Sequence, residues 1–323
     1  MDALVKPAKS LPYLSKPSKE EFAKLKGTPL VFKDSIENEW ASKLSFKSIK
    51  QLIPDIEIKL RRSLCNQSER VYCNLHRYID YICEKSNLEN CFTENPSTGE
   101  NWFGNFTPED KLYCLEMDVN YNDELAKFFS CPEFMGDWFD LYLPLIKKSV
   151  VEGKRHTWFF IGPQGTLSEL HTDHDSIHTT IQQCCGSKRF FTIQPEQQIW
   201  LESQIPDDLL ESLRFELKED TINITSILPD KDSASILEKV KDVDIYFNDL
   251  KSGDVIYLPS MTGHYAESLS DSIGVSRDFI DETNVDKYLF SCIFSSQVFE
   301  VATNVIPFTK LQKLTNEYES LKI

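Results

Sequence analysis

Glycine is scarce in this chain, 11 of 323 residues, whereas Phe, Tyr and Trp number 21, 12 and 5. Such an aromatic load with so little glycine excludes a low-complexity or disordered chain and predicts a packed fold. Long apolar runs are also missing. No stretch approaches the ~20 apolar residues of a membrane-spanning helix. The nearest, Tyr288 to Phe299, is too short and too polar. The first twenty residues carry four Lys and three Pro and no apolar core of a secretory signal. The nine cysteines are odd in number and include no CxxC pair, which argues against a disulfide framework or a short-spaced zinc site. Reduced thiols in a cytosolic or nuclear protein are the simplest expectation. Positive charge is in short supply, with 35 Lys and Arg against 51 Asp and Glu and a net charge of −16. A broad nucleic-acid face or a membrane-surface face is thereby excluded, whereas a basic protein or peptide partner is not. What remains is ordinary for a soluble globular protein: 41% apolar and 27% charged residues, enough for one large domain or two small ones.

Along the chain, residues 1–20 read as an extended lead-in. Short helices are expected at Lys19–Leu25, Ser42–Ile53, Val71–Lys85, 124–129 and 134–141. Strands are expected at Thr28–Lys33, Ile56–Leu60 and within Pro108–Met117. Ser86–Asn101, rich in Asn, Ser, Thr, Pro and Gly, reads as a loop. From His156 the texture changes to short β-rich runs, 156–161, 168–173, 179–185, 188–193, 254–258 and 272–280. Turn signals at Gly162-Pro163, Gly186-Ser187 and Ser252-Gly253 separate them. An acidic insertion, 197–250, interrupts them, with helices expected at Pro206–Leu217 and Ser233–Val243. Residues 284–323 read as a helical tail with Leu311, Leu314, Tyr318 and Leu321 on one face. That stripe is either a homodimer seam or a face packed on the chain's own core. The expected fold is mainly β with helical decoration, a sandwich or barrel of short strands.

Histidine is the last scarcity, with six residues, and His156, His171, His174 and His178 are clustered. Within Gly162-Pro-Gln-Gly-Thr-Leu-Ser-Glu-Leu-His-Thr-Asp173, His171 and Asp173 are two apart. On a strand they face the same way. Downstream, Gly253-Asp-Val-Ile-Tyr-Leu-Pro-Ser-Met-Thr-Gly-His264 runs turn, apolar strand, Pro stop and His. Two imidazoles and one carboxylate on one face are the ligand set of a non-haem Fe(II) site that leaves positions open for a bidentate cosubstrate and dioxygen. A third segment, Gly186-Ser-Lys-Arg-Phe-Phe-Thr-Ile-Gln-Pro195, opens with two cations. Alternation lets only one of Lys188 and Arg189 point inward, and counting alone does not say which.

Taken together, these segments resemble the JmjC family of Fe(II)/2-oxoglutarate oxygenases, in particular the hydroxylase branch typified by the asparaginyl hydroxylase of hypoxia-inducible factor. The likeness extends upstream to Phe22–Trp40 and Asp110–Glu116 and covers most of residues 20–280. It implies a double-stranded β-helix (a cupin-like jelly roll) with an α/β region before it and helices after it. The oxygenase domain would span 21–283, with a barrel at about 156–283. By position, His171, Asp173 and His264 would bind Fe(II). Lys188 would receive the distal carboxylate of 2-oxoglutarate, with Tyr113 and Ser168 as hydroxyl partners, and Ser276 would lie near the cosubstrate. Asp278 stands where relatives carry Asn, and its charge would repel the cosubstrate unless Arg277 or another cation compensates. Thr179 and Thr180 stand where several relatives carry Asn. Cys184 and Cys185 read as small buried apolar residues of a barrel strand, and His174 as a mouth-lining or solvent-facing side chain.

The resemblance implies hydroxylation of a protein side chain, with O2 consumed and succinate and CO2 released. Three other readings compete: hydroxylation of a small molecule or a modified tRNA nucleotide, demethylation of N-methyl-lysine, and a non-enzymatic cupin-like binding module. The absence of zinc-finger spacing weighs against the demethylase, and the complete His/Asp/His set against the inert module.

Overall fold

The computed structural model of the chain describes residues 3–15, 17–33, 44–62, 69–118, 133–138, 157–173 and 176–288. The expected helix at 124–129, residues 139–141, His156, His174 and the stripe from Leu311 to Leu321 lie outside the described residues; of the helix expected at 134–141, the described part is a single 3-10 turn, Glu133–Met135, followed by non-helical chain to 138. Three of the nine cysteines, Cys65, Cys131 and Cys292, lie outside them as well.

The lead-in forms β1 (Leu4–Pro7), β2 (Lys9–Ser10) and β3 (Tyr13–Leu14). Helix α1 (Lys19–Ala23) follows, opened by a capping box in which Ser18 and Glu21 satisfy each other's backbone N–H. After β4 (Leu30–Phe32), Ser45 and Ser48 open α2 (Phe46–Leu52) in the same way. Then come β5 (Glu57–Arg62), β6 (Arg70–Asn74), α3 (Leu75–Cys83), β7 (Leu88–Asn95), β8 (Glu100–Phe106) and β9 (Leu112–Asp118).

The barrel consists of eight strands: β10 (Thr157–Gly162), β11 (Leu167–His171), β12 (His178–Cys185), β13 (Ser187–Ile193), β16 (Ile245–Lys251), β17 (Val255–Leu258), β18 (Gly263–Ser268) and β19 (Ser272–Phe279). They divide equally between two sheets, one holding β17-β12-β19-β10 and the other β11-β18-β13-β16. This is the eight-strand arrangement of a jelly roll. The first sheet continues through β9, β5, β6, β7 and β8 on one side and β4 and β3 on the other, giving eleven strands. Ile181, Phe190, Leu250, Ile256 and Ala266 fill the interior between the sheets. On the outer face of the large sheet, Phe159, Ile161, Ile273 and Val275 pack against Leu75, Ile79 and Ile82 of α3.

The insertion holds α4 (Pro195–Gln204), α5 (Asp207–Leu210), β14 (Leu213–Lys218), β15 (Thr221–Ser226) and α6 (Asp230–Val240). It docks on the outer face of the small sheet. Phe191 of β13, Phe215 of β14 and Tyr265 of β18 form a ring cluster with centroids 5.1–5.9 Å apart. Each such pair adds roughly 0.5–1.5 kcal/mol to the area it buries.

Four sequence expectations are corrected. The loop expected at 86–101 is a hairpin, β7 and β8. Its Asn, Ser and Thr residues suggested a loop because one face is open, whereas Leu88, Cys91 and Phe106 are buried on the other. Only the turn with Gly99 at φ +73 lies off the strands. Helix 206–217 shrinks to α5 and gives way to β14, where Leu213 and Phe215 alternate inward against Ile222 and Ile224. Helix 71–85 begins as strand β6 and becomes helical only at Leu75. The last segment of the expected insertion, Ile245–Lys251, is the barrel strand β16, paired along its whole length with β13.

Candidate metal and cosubstrate site

The two histidines of the sequence motif meet across the small sheet. His171 ends β11 and His264 sits in β18, and the two are direct cross-strand partners with ring centroids 4.2 Å apart. Asp173 follows two residues after His171, and its Oδ1 lies 3.8 Å from His264 Nε2. One ligand atom from each of the three lies within 4.8 Å of the others. The register of β11 on β18 shifts between Ser168 and His171. Strict alternation would send residues three apart to opposite faces. This bulge-like irregularity lets Ser168 and His171 line one cavity.

Backbone carbonyls orient both imidazoles. His171 Nδ1 donates to the Glu169 carbonyl at 2.7 Å, and His264 Nδ1 to the Thr262 carbonyl at 3.1 Å. A carbonyl can only accept, so each Nδ1 carries the proton and each Nε2 lone pair is left for a metal. His171 reaches solvent through the pocket mouth, yet desolvation of its ring by surrounding protein, together with His264, pushes its pKa down to about 4. Its imidazole is neutral at pH 7. Two imidazoles and a carboxylate converging in this way fit a divalent iron centre.

The cavity beside the triad measures about 530 Å³. Its floor holds Lys188, 2% exposed. Along β13, Lys188 and Phe190 point into the barrel, and Arg189 points out to a bidentate pair with Asp249 at 2.6 and 2.7 Å. That settles which of the two cations faces inward. Lys188 Nζ donates to Tyr113 Oη at 2.5 Å and lies 4.9 Å and 5.6 Å from the ring centres of Tyr113 and Phe160. Among the described residues no carboxylate forms an ion pair with it, and burial pushes its pKa down to about 7. A buried cation with neutral hydroxyl company suits an anion that arrives with a ligand. The Tyr113 hydroxyl also hydrogen-bonds Ser168. Gly162 makes room for that ring: a Cβ there would lie 2.7 Å from Tyr113 Cδ2.

Ser276 and Asp278 line the same cavity from β19. Arg277 pairs with Asp137 at 2.6 Å and compensates Asp278 only in part. Burial and the nearby Asp173 outweigh it and raise the Asp278 pKa well above its ordinary value. Asp278 Oδ1 accepts from Thr179 Oγ1 at 3.0 Å. Thr179 lines the cavity too, whereas Thr180 donates to the Arg277 carbonyl. His178 is structural: its Nε2 lies 2.9 Å from Thr283 Oγ1, and its Nδ1 accepts from Ser260 N–H at the same distance. Cys184 is buried, and Cys185 is half-buried.

Sequence reasoning missed the residues that brace the site. Glu202 of α4 accepts from Thr172 Oγ1 at 3.1 Å and from Gln198 Nε2 at 3.0 Å. Thr172 lies between His171 and Asp173. Gln198 packs over Gly263, beside His264, so closely that a Cβ there would sit 2.1 Å from Gln198 Oε1. One helix of the insertion thus holds both ligand-bearing segments. Arg61 of β5 also lines the cavity and pairs with Glu169 at 3.2 Å. No local signal marks these residues, because the contacts join segments 30 to 108 residues apart.

A family model for the cupin-like domain matches residues 17–283. The chain belongs to the cupin-like domain family. Curated relatives of this cupin-like chain include the 2-oxoglutarate and iron-dependent oxygenase JMJD4 of Danio rerio, 23% identical over 185 residues, which are 57% of this chain and 39% of that protein. The Gallus gallus protein of the same name is 23% identical over 153 residues, 47% and 32% of the two chains. The lysine-specific demethylase JMJ30 of Arabidopsis thaliana is 30% identical over 123 residues, 38% and 24%. The matched cupin-like region spans only about a quarter to two-fifths of these relatives. Their names support the JmjC resemblance at the level of the family but not its asparaginyl hydroxylase branch.

Proposed function

We propose that the chain is an Fe(II)- and 2-oxoglutarate-dependent dioxygenase that hydroxylates a side chain of a protein substrate. The observation that carries the oxygenase class is one cavity holding His171, Asp173 and His264 at its side and the buried Lys188 at its floor. The relatives named as 2-oxoglutarate and iron-dependent oxygenases support the same class. Bound iron and 2-oxoglutarate would supply the oxidising chemistry, consuming O2, releasing succinate and CO2 and delivering one oxygen atom to a C–H bond of the substrate. The chain's own contribution is placement. His171 and His264 present Nε2 donors, and Asp173 presents a carboxylate. Lys188 carries the positive charge for the distal carboxylate of the cosubstrate, and Tyr113 and Ser168 add hydroxyl contacts. Phe160, Phe190 and Ala266 form the apolar wall that keeps bulk water from that end of the cavity.

The substrate reading rests on the rim. Glu202, Asp207 and Glu211 of the insertion line the pocket, and the chain as a whole carries a net charge of −16. Such a rim favours a cationic segment of a protein over an RNA or an anionic metabolite. The test is incubation of the purified chain with Fe(II), 2-oxoglutarate and cell extract, followed by a search for one-oxygen mass gains in protein, RNA and metabolite fractions. Gains in protein that vanish with His171→Ala support the reading. Gains confined to another fraction overturn the substrate class, and succinate production no greater than that of His171→Ala overturns the oxygenase.

A further inference from the structure

The large sheet does not end at the cavity. Tyr113, whose hydroxyl faces Lys188, is the cross-strand partner of Arg61 in β5. Both line the cavity, so this face of the sheet is the cavity floor. Beyond β5 the same face runs on over β6, β7 and β8. Side chains two apart on a strand share a face, so Lys59 stands on the same side as Arg61. Lys59 pairs with Tyr72, Tyr72 with Phe92, and Phe92 with Phe103. The three rings form a ladder across the strands with centroid separations of 5.7 and 5.9 Å. Its outer members are open to solvent: Phe92 is 38% exposed and Phe103 is 74% exposed. On the opposite face Leu88, Cys91 and Thr93 of β7 are packed inward, and Trp102 of β8, opposite Thr93, is partly exposed. The exposed row is therefore not core residue left over from folding. Two large aromatics held in the open, each costing hydration free energy, mark a surface made for contact.

Building on the reading of a protein substrate, we propose that this ladder is the docking surface for the substrate polypeptide outside the cavity. Its occupant is an extended segment carrying an aromatic or branched apolar side chain at a set distance from the residue that enters the cavity. Continuity with the cavity floor selects this occupant, because a chain leaving the pocket over Arg61 meets the ladder next. Strands lie ~4.8 Å apart, so from Tyr113 the ladder begins about 10 Å away at Tyr72 and ends about 19 Å away at Phe103. An extended polypeptide advances ~3.3 Å per residue. Counted from the pocket at Tyr113, the ladder spans roughly three to six residues of extended chain, and the apolar anchor should fall at that separation from the residue held in the pocket.

The experiment uses proteolytic peptides of a cell extract, about ten to twenty residues long, incubated with Fe(II)-loaded full-length chain and 2-oxoglutarate. Oxidised peptides are sequenced by mass spectrometry. The expected result for the wild type is enrichment of Phe, Tyr, Leu, Ile or Val at one offset between about three and six from the oxidised residue. In Phe92→Ser/Phe103→Ser that enrichment is lost, and oxidation of anchored peptides falls at least fivefold, to the level of peptides without an anchor. Phe103→Lys alone, at the more exposed position, gives the same direction without touching buried structure, and Phe103→Tyr restores the enrichment. Thermal melting confirms that the variants are folded. Oxidised peptides without a positional preference, or a preference that survives the substitutions, overturn the docking surface and leave the protein-substrate reading intact. A wild-type dimer that the substitutions dissociate, with peptide oxidation unchanged, reassigns the face to self-association and also overturns the proposal. Oxidation of metabolites with no peptide oxidised overturns both readings.

Discussion

The charge state of Lys188 makes a quantitative prediction for cosubstrate binding. Its ammonium is 2% exposed, donates to a neutral phenol, has no carboxylate ion-pair partner among the described residues, and has its pKa pushed down by burial to about 7. The free protein at pH 7 therefore holds this lysine about half protonated, and at pH 9 only about one part in a hundred is protonated. A bound distal carboxylate restores the proton, because an opposite charge at hydrogen-bond distance favours the charged form. The sign follows. Affinity for 2-oxoglutarate is highest below pH 7 and falls as pH rises through the free-state pKa, approaching tenfold per unit above it. Between pH 7 and 9 the loss is about fiftyfold, or roughly 2 kcal/mol. Calorimetric titration of the metal-loaded protein, in paired buffers of different ionisation enthalpy, measures both the affinity and the linked proton. Uptake should be about 0.5 proton per site at pH 7 and approach one at pH 9. Lys188→Met should bind weakly at every pH with no linked proton. A dissociation constant that stays flat from pH 7 to 9, with no proton uptake, would refute the assignment of Lys188 as the anion anchor.

Three further outcomes are expected. Glu202→Ala removes the acceptor shared by Thr172 and Gln198 and should weaken Fe(II) binding roughly tenfold or more, read by metal titration, because partners behind the ligands fix their orientation. Gly263→Ala places a Cβ 2.1 Å from Gln198 Oε1. It should cost about 1–3 kcal/mol, measured by denaturant unfolding, as α4 is forced off the small sheet. Asp278→Asn keeps the acceptor for Thr179 Oγ1, and burial favours the uncharged form of the acid it replaces, so 2-oxoglutarate affinity should stay within about threefold of the wild type. A tenfold or larger change would show that Asp278 acts as an anion.

The barrel was legible wherever an apolar run was bounded by a turn. The strands at 157–162, 178–185, 187–193, 255–258 and 272–279 all announce themselves in this way. The His171 and Asp173 spacing, with His264 after a Pro stop, carried the metal triad. The parts that stayed hidden depend on pairing across long separations. Whether Lys188 or Arg189 faces inward is a matter of register against β16, which no local count supplies. Ser168 and His171 share a face only through a register shift that parity arguments forbid. Gln198 and Glu202 lie on a helix whose sequence reads as ordinary polar surface. Residues 86–101 read as a loop because Asn, Ser, Thr, Pro and Gly crowd there, the usual mark of a loop, whereas pairing with β6 and across the hairpin makes most of them strand.

The lead-in has a consequence for how the molecule is assembled. Leu4–Pro7 pairs with Thr221–Ile224, and Lys9 and Ser10 with Tyr246 and Phe247. Lys6 also donates to the Lys241 and Val243 carbonyls at 2.6 Å. The lead-in is thus completed by strands that follow it more than two hundred residues later in the chain. Such non-local closure is slow, and until it happens β15 and β16 each have an unpaired edge. Residues 4–10 therefore find their place only after the chain as far as β16 has been made. A fusion partner that restrains those residues would delay the final step of folding more than it would weaken the finished protein.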